Sequence, residues 1–336
     1  MEATERIRGE KRGPSCVAGA SIADVLRLLG SGATGDILMA LGEGSLRTKG
    51  LTERVAGYAP RTIYRYAGRL AKLDVVEREE EPGVPSKVVH RLTEGCGSEL
   101  HDLVDRFAGA SLSRLPDGGV DVRDWASLGL AADLWESGMA EELSCDPRSP
   151  TELARSSVGF SYHQVNRRAG LFAAGGLLRE FSGPGRRRCY ALTDKARRAM
   201  ALVAGIGRWR HRHVVPEGEE GMAAAEMVTV LRTSLPLVRM PPHAGTCLRF
   251  NVVGAEEPHE AVWAEVEDDG TIHSCAGPTA RVDGWARGET QAWAGVPLDG
   301  DSSRLLVGGD AKLIGDSLEG LHRELWAPRS SSPSSP

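Results

Sequence analysis

The sequence has few aromatic residues, six dispersed cysteines and no long apolar run. No apolar stretch approaches the roughly 20 residues that a membrane-spanning helix needs. The cysteines form no C-x-x-C pair, which argues against a disulfide framework or a zinc ribbon and favours reduced thiols. Residues 1–12 are charged and have no apolar core, so they do not predict a secretory signal. These absences favour a cytoplasmic protein that does not associate with a membrane.

Common signatures of catalysis are also missing from the sequence. No P-loop, dinucleotide fingerprint or G-x-S-x-G motif occurs. His211 and His213 lie two positions apart, and such residues point to different faces of a helix, which is unsuited to binding one metal ion. We therefore expect a protein that is not an enzyme and that uses neither a metal nor a cofactor.

Charge is distributed unevenly along the chain, although the net charge is only -5. Residues 1–216 contain 32 Lys and Arg against 27 Asp and Glu, whereas residues 217–327 contain 8 against 19. The basic excess lies in residues 125–216, with 14 against 8. A basic segment beside an acidic one predicts that only the basic segment meets a polyanion, unless the difference is random variation of the surface.

One pattern occurs twice in the first two-thirds of the chain. Residues 57–78 recur as residues 159–180 at a constant offset, and Leu92-Thr93 recurs as Leu192-Thr193 after two residues are lost from a turn. The aligned apolar pairs are Leu51 with Leu153, Tyr58 with Phe160, Ile63 with Val165, and Leu70 with Phe172. Shared apolar positions with different surfaces predict one small fold used twice.

Each copy has the order of elements that is typical of a winged helix-turn-helix. In the first copy, a turn precedes a helix over 60–73, and β segments at 75–78 and 87–92 flank a turn-rich stretch. In the second copy, a helix over 161–174 precedes a hairpin that turns at Ser182-Gly183-Pro184-Gly185. A further helix follows each hairpin, and Thr93 and Thr193 are placed to cap them. The first hypothesis is therefore DNA binding.

The helix after each turn divides into an apolar side and a polar side, as a helix entering the major groove requires. In the first copy, Arg61, Arg65, Arg69 and Lys72 recur at helical spacing. An arginine there pairs either with guanine or with phosphate, and Gln164 in the second copy can pair with adenine. The alternative is that both faces are merely solvated. The candidate DNA-binding residues are Arg61, Thr62, Arg65, Arg69, Lys72, Lys87, Ser161, His163, Gln164, Arg167, Arg168, Arg186, Arg187 and Arg188.

The two predicted wings differ in charge. The second carries Arg186-Arg187-Arg188 after Gly-Pro-Gly, a basic tip suited to phosphate or minor-groove contact. The first carries Glu79-Glu80-Glu81, which would repel phosphate. We expect the first wing to be the poorer DNA contact.

After Met222 the sequence predicts alternating short elements. Helices are expected over 222–235, 288–296 and 311–325, and strands over 246–253, 261–267, 271–275 and 280–282, with Asp268-Asp269-Gly270 as a hairpin turn. The fold class is therefore mainly α with small β-wings, formed by two winged helix-turn-helix domains, plus a C-terminal α+β domain. The predicted boundaries are a flexible N-terminus 1–14, domains at 15–112 and 126–215 joined by a linker 113–125, the α+β domain 216–327 and a disordered Ser/Pro tail 328–336.

Part of the chain resembles the HxlR-type winged-helix regulators. The resemblance rests on Cys16-Val17-Ala18 before a helix, on Leu70 to Arg78, and on Pro85 and His90 to Gly95. It covers about 16–110 and, more loosely, 128–205, and it implies a bacterial or archaeal transcription regulator. Members usually act as dimers with one winged helix per chain, so two in one chain imply a pseudo-dimeric monomer or a further homodimer.

The chain departs from the HxlR pattern in two places. The tryptophan usual after the first helix is missing, with Ala33-Thr34 near its place, and the second copy has no equivalent of Cys16. Some relatives sense oxidants through such a cysteine, so Cys16 is either a sensor or simply a small buried residue.

Residues 222–326 are similar to sterol-carrier-protein-type domains. The similar features are Gly245 to Phe250, the hairpin 262–272 and Arg304 to Asp310 before the last helix. The similarity implies a layered fold with an apolar pocket for a lipid or another hydrophobic small-molecule effector. The candidate pocket residues are Trp263, Trp285, Trp293 and Leu306, with a role as ordinary core residues as the alternative.

The sequence thus predicts a transcriptional regulator that binds double-stranded DNA through two winged helices and is controlled through its acidic C-terminal domain. Two other classes stay open. One is a protein-interaction scaffold, and the other is a hydrophobic-ligand binding protein whose winged helices no longer bind DNA. The operator, the effector and the direction of regulation are not predicted.

Overall fold

The computed structural model describes residues 20–82, 87–111, 122–156, 159–216, 219–254 and 260–326. The predicted flexible N-terminus with Cys16, most of the predicted linker 113–125 and the predicted tail 328–336 lie outside the described residues.

Thirteen α-helices lie within the described residues. They are α1 (Ile22–Leu29), α2 (Ala33–Gly42), α3 (Thr48–Arg54), α4 (Pro60–Lys72), α5 (Cys96–Ser111), α6 (Val122–Glu136), α7 (Met139–Glu142), α8 (Pro150–Ser156), α9 (Tyr162–Ala174), α10 (Asp194–His213), α11 (Ala224–Ser234), α12 (Thr290–Asp299) and α13 (Ala311–Trp326). In the described part of the chain, no single helix is both long and apolar enough to cross a membrane, and α1 and α2 meet those criteria only as a pair bent by 82°.

The ten strands that the structure describes form three sheets. They are β1 (Leu46–Arg47), β2 (Val76–Glu81), β3 (Lys87–Leu92), β4 (Leu178–Ser182), β5 (Arg188–Leu192), β6 (Cys247–Val253), β7 (Glu260–Val266), β8 (Ile272–Cys275), β9 (Gly284–Glu289) and β10 (Leu306–Gly309). The sheet orders are β1-β3-β2, β4-β5 and β10-β9-β6-β7-β8. Only the β6–β9 pair is parallel among these strands.

Residues 33–92 form a winged helix-turn-helix. Helix α3, a turn and helix α4 are followed by the β2–β3 hairpin, and β1 pairs with β3 to complete a small sheet. Ile63, Ala67 and Leu70 form the buried stripe of α4 because they recur every three to four residues. Pro60 stands at the first helical position, where its missing N–H removes no helical hydrogen bond.

Residues 150–213 repeat that order with α8, α9, the β4–β5 hairpin and α10. The aligned side chains Leu51 and Leu153 are fully buried, and Val165, Ala169 and Phe172 form the buried stripe of α9. After each hairpin, the backbone N–H of a threonine donates a hydrogen bond to the carbonyl oxygen of the residue just before the first hairpin strand. The backbone N–H of Thr93 donates to Val75 O at 3.0 Å, and that of Thr193 donates to Leu177 O at 3.0 Å.

The turn before α4 and the equivalent turn before α9 each contain a glycine in the left-handed region, Gly57 at φ 100° and Gly159 at φ 87°. A Cβ would meet no atom within 4 Å at either position, so the cost of a side chain there is backbone strain alone. We expect Gly57→Ala and Gly159→Ala each to lower the free energy of unfolding by about 1–2 kcal/mol. Urea denaturation followed by circular dichroism measures this.

The matched control for that prediction is Gly315→Ala in the middle of α13, where a Cβ also meets nothing within 4 Å. Alanine should there raise the stability by about 0.5–1 kcal/mol, because glycine is the poorer helix former. The argument fails if the turn variants change stability in the same direction as this control.

Equivalent helices of the two repeats pack against each other. Helix α1 packs on α6, where Arg27 pairs with Asp133 at 2.8 Å and a Cβ on Gly30 would lie 2.3 Å from the backbone nitrogen of Gly129. Helix α5 packs on α10, where Trp209 Nε1 donates to Cys96 O at 2.9 Å. The close backbone approach at Gly30 requires glycine, and it sets how near α1 and α6 lie.

The C-terminal part is a five-stranded sheet with helices α11, α12 and α13 on one face. Leu248, Phe250 and Val262 point to that face, and Phe250 meets Trp293 of α12 edge to face, with ring centroids 5.6 Å apart. This part also contacts α5 and α10 through α11, α12 and α13. The C-terminal part therefore rests on the same pair of helices that joins the two repeats.

Three elements differ from the sequence-based prediction. Helix α6 begins at Val122, inside the predicted linker 113–125, and it is separated from α7 by a turn at Gly138, whose φ is 69°. The expected strand 280–282 lies instead at β9, and the expected helix over 288–296 begins only at Thr290. Gly288 lies within β9, and Leu305 packs against it so closely that a Cβ there would lie 2.4 Å from the leucine side chain.

Candidate nucleic-acid interface

Helix α4 presents a basic outer surface. Arg61, Arg65, Arg69 and Lys72 are all exposed, and none forms an ion pair with another described residue. Thr62 is half-buried at the first turn. Exposed positive charges that no carboxylate of the described residues neutralises are what a helix needs in order to bind the phosphates or base edges of a duplex.

Two of these arginines are ordered by a tyrosine. The guanidinium carbons of Arg65 and Arg69 lie 4.8 Å and 5.2 Å from the ring centroid of Tyr66, within the range of a cation–π contact. The two side chains therefore lie along the helix surface. An open cleft of about 560 Å³ runs beside them, between the second half of α4 and Arg78 of β2.

Sequence reasoning missed two exposed tyrosines next to the predicted residues. Tyr64 on α4 is 46% exposed and Tyr162 on α9 is 47% exposed. A phenol hydroxyl in such a position can bond to phosphate. The available signal was their position outside the apolar stripe of each helix, where a large aromatic residue has no core to fill.

Basic residues that lie beside the first wing in the structure neutralise part of its acidic charge. Arg91 Nε pairs with Glu77 at 3.0 Å, and Arg47 of β1 pairs with Glu81 at 2.9 Å. Strands β1 to β3 together contain four basic and four acidic residues, so this sheet has no net charge. Lys87 is exposed at the start of β3, whereas the tip at 83–86 lies outside the described residues.

A buried histidine lies beneath the first wing. His90 of β3 is 2% exposed, and its Nε2 lies 3.3 Å from Thr48 Oγ1. Thr48 Oγ1 also donates to Val88 O at 3.1 Å. Burial, and to a lesser extent the charge of Arg78, lowers the pKa of His90. The imidazole is therefore neutral in the folded protein at neutral pH.

The lowered pKa of His90 predicts that stability falls in mild acid. Between the lowered folded-state pKa and about 6.5, the unfolded chain binds a proton that the folded chain does not. His90 should thus make the free energy of unfolding fall by at most about 1.4 kcal/mol per pH unit as the pH drops below about 6.5. Urea midpoints of wild type and His90→Gln between pH 5 and 8 test this. Equal acid sensitivity of the two proteins would contradict it.

Helix α9 uses two of its candidate residues to cap itself. Ser161 Oγ accepts a hydrogen bond from Gln164 N at 3.4 Å, and Gln164 Oε1 accepts one from Ser161 N at 2.8 Å. This capping box occupies the carbonyl oxygen that Gln164 would offer to adenine. The expected bidentate contact therefore requires the cap to open or to share that oxygen.

The other candidate residues of α9 differ in orientation. His163 and Arg167 are exposed, as expected. Arg168 is half-buried, and its guanidinium carbon lies 4.4 Å from the ring centroid of Phe160. Arg168 therefore packs over the turn of the helix-turn-helix instead of sharing the fully exposed surface of Arg167.

The second wing presents two unpaired arginines at its tip. Gly183 N donates to Arg187 O at 2.7 Å and closes the hairpin, and Arg186 has a φ of 58°. Arg186 and Arg187 are exposed and make no ion pair with another described residue, whereas Arg188 Nε pairs with Glu180 at 3.0 Å. Of the three predicted arginines, two are therefore available to a polyanion.

The structure does not bring the four predicted pocket residues together. Trp293 is fully buried on the helix-covered face of the sheet and donates from Nε1 to Asn251 O at 2.9 Å. Trp263 and Trp285 lie on the opposite face, and Leu306 is 67% exposed on strand β10. Trp293 belongs to α12, which packs on the other face of the sheet, so the predicted apolar pocket cannot have all four as its walls.

The fold and the exposed basic helix define a winged helix-turn-helix of the DNA-binding class. Residues 28–111 match the family described as HxlR-like helix-turn-helix. The match supports an HxlR-type regulator and covers the first repeat, including α4 and the first wing. Among curated proteins, no match to the chain was found.

Proposed function

We propose that this protein is a transcriptional regulator that binds double-stranded DNA through two winged helices in one chain. The observation that carries the proposal is the repeat of an apolar stripe opposite an exposed polar surface on α4 and α9, each placed after a glycine turn, with Arg61, Arg65, Arg69 and Lys72 exposed on α4 and Arg167 on α9. The HxlR-like match supports DNA binding by the first repeat. The second winged helix is inferred from the repeated order of elements.

The packing between the repeats supports an internal pseudo-dimer. In a two-fold interface, each element meets its own counterpart, and here α1 meets α6 while α5 meets α10. Side chains join both pairs. Arg27 Nη1 donates to Glu136 at 3.0 Å, and Arg212 Nη1 donates to Glu99 at 2.6 Å. Such an arrangement makes α4 and α9 the two recognition helices of one molecule.

The two recognition helices carry different side chains, so we propose that they bind different half-sites. Helix α4 offers three arginines and a lysine, whereas α9 offers His163, Gln164 and Arg167. A homodimer with identical recognition helices favours a palindromic site, whereas a chain with two different recognition helices favours an asymmetric site.

We further propose that the C-terminal part controls DNA binding through α10. Arg208 of α10 pairs with Asp299 at the end of α12, and Arg197 of α10 donates to Thr233 O at 2.9 Å. Arg106 of α5 bonds to Leu298 O. A ligand or partner that shifts α11 and α12 would also shift α5 and α10, and it would thereby change the distance between the recognition helices α4 and α9.

Binding of the purified protein to DNA from upstream of its own gene, titrated across salt concentrations, tests the proposal. We expect specific binding, with log K falling linearly against log salt by about 0.9 per phosphate contacted. Absence of binding at low salt would refute the regulator and favour a scaffold or a ligand carrier. An effector that binds the C-terminal part and leaves DNA affinity unchanged would refute the control step alone.

A further inference from the structure

The C-terminal sheet has a second face whose side chains are half-buried or exposed. Along β9, Trp285 and Arg287 point away from the helices, while Ala286 points toward them. The same alternation places Arg249 of β6 and Trp263 of β7 on this outer face. The surface is neither a plain apolar core face nor an ordinary charged surface, because tryptophan and arginine alternate across it.

The strand register aligns those residues in one row. Arg249 is opposite Trp263 on β7 and opposite Trp285 on β9, so the three residues share one row of the outer face. The guanidinium carbon of Arg249 lies 4.8 Å from the ring centroid of Trp263. The indole of Trp285 lies across Gly308 of β10, where a Cβ would come within 2.3 Å of its Cε2. Trp285 is thus held flat on the sheet and stays 37% exposed.

An open cleft of about 330 Å³ lies beside this row. It is lined by Arg249, Asn251, Val282, Trp285 and Arg287. Arg249 Nε is buried and has no hydrogen-bond partner among the described residues. A buried N–H without a partner is costly, and an anion in the cleft would satisfy it. Arg287 is opposite Asn251 in the strand register and also lines the cleft, so the guanidinium groups of Arg249 and Arg287 flank the same space.

We propose that this cleft binds a small aromatic carboxylate. The ring would stack on the exposed indole of Trp285 and contact Val282, and the carboxylate would accept hydrogen bonds from Arg249 and Arg287. The volume lies at the small end of ligand pockets and suits one or two fused rings. A long polyanion is disfavoured, because residues 217–327 carry 19 acidic against 8 basic residues and would repel it.

This inference gives the proposed control step a ligand chemistry, but it does not depend on DNA binding. Its test measures ligand binding directly on the full chain. Failure here leaves the DNA-binding proposal intact, and failure of DNA binding leaves this site intact.

The reporter is 8-anilinonaphthalene-1-sulfonate, an aromatic anion that fluoresces when bound, and the competitor is 2-naphthoate. We expect saturable displacement of the reporter by 2-naphthoate, and at least roughly tenfold weaker displacement by 2-naphthamide, which has the same rings without the charge. Equal displacement by the two compounds, or none by 2-naphthoate, would overturn the proposal.

Three variants locate the site. Arg249→Met and Arg287→Met should each weaken 2-naphthoate about tenfold or more, and Trp285→Leu should weaken it severalfold. The matched control is Arg323→Met on α13, an exposed arginine that is 55% accessible and distant in sequence from the cleft. Unchanged 2-naphthoate affinity in the Arg249→Met/Arg287→Met double variant would place any binding elsewhere and refute the assignment. Thermal melting of each variant distinguishes lost binding from lost folding.

Discussion

Replacing Arg61, Arg65 and Arg69 together with alanine should weaken specific DNA binding about a thousandfold. Each arginine that contacts a phosphate or a guanine contributes about 1–3 kcal/mol to the binding free energy, and the lower part of that range already gives this loss for three. The three side chains are exposed and alanine favours helix, so the fold should persist. Fluorescence anisotropy with the upstream DNA measures the affinity.

The salt dependence of binding gives a second, independent measurement on the same variant. Removing three phosphate contacts should reduce the slope of log K against log salt by about 3, whereas removing base contacts reduces affinity with less change in slope. The comparison thus assigns each lost contact to the backbone or to the bases.

The matched control changes the net charge equally but elsewhere. Arg239, Arg304 and Arg323 are exposed arginines of the C-terminal part, with accessible fractions of 58%, 63% and 55%. Their replacement by alanine should reduce affinity less than threefold, since it alters only the long-range field. If the two triple variants lose affinity equally, α4 is not the reading helix.

Trp125→Ala should lower the free energy of unfolding by about 3–5 kcal/mol. The indole of Trp125 in α6 is fully buried against Gly35 of α2, where a Cβ would approach its Cε2 to 2.5 Å. Its Nε1 donates to Asp36 at 3.1 Å, and burial already raises the pKa of that carboxyl group. The substitution leaves a large cavity and removes a hydrogen bond from a buried acid.

Urea denaturation followed by far-ultraviolet circular dichroism tests this loss without relying on tryptophan fluorescence. Trp285→Ala is the matched control, because that indole is partly exposed and lies on an outer surface. It should cost less than about 1 kcal/mol. A loss in Trp125→Ala as small as the one expected for the control would show that the contact between the repeats contributes little to stability.

The repeat and its buried positions could be predicted from the sequence because the information is local and doubled. Helical spacing identifies the stripe of Ile63, Ala67 and Leu70, and the second copy at the same offset removes the ambiguity of a single segment. The turn glycines and capping threonines are short-range signals of the same kind.

Contacts between distant segments could not be predicted in this way. Nothing near Glu81 in the sequence reveals its pairing with Arg47. The cap closed by Gln164 is a local contact, and the spacing of Ser161 and Gln164 was the signal that could have revealed it. The similarity to sterol-carrier-protein-type domains implies one pocket that includes Trp263, Trp285 and Trp293. Strand pairing places Trp263 and Trp285 on one face of the sheet, whereas Trp293 lies on α12 against the other face, and both placements are non-local properties.

The two wings differ in charge, so the two ends of the proposed DNA-binding surface are not equivalent. The first sheet is balanced in charge, whereas the second hairpin ends in two unpaired arginines. A protein with one neutral flank and one cationic flank has a preferred direction along a duplex, because reversing it would exchange strong and weak backbone contacts. The C-terminal part would then always face the same end of the binding site. Inverting the site relative to a promoter would move that part from one side to the other without altering a single base contact.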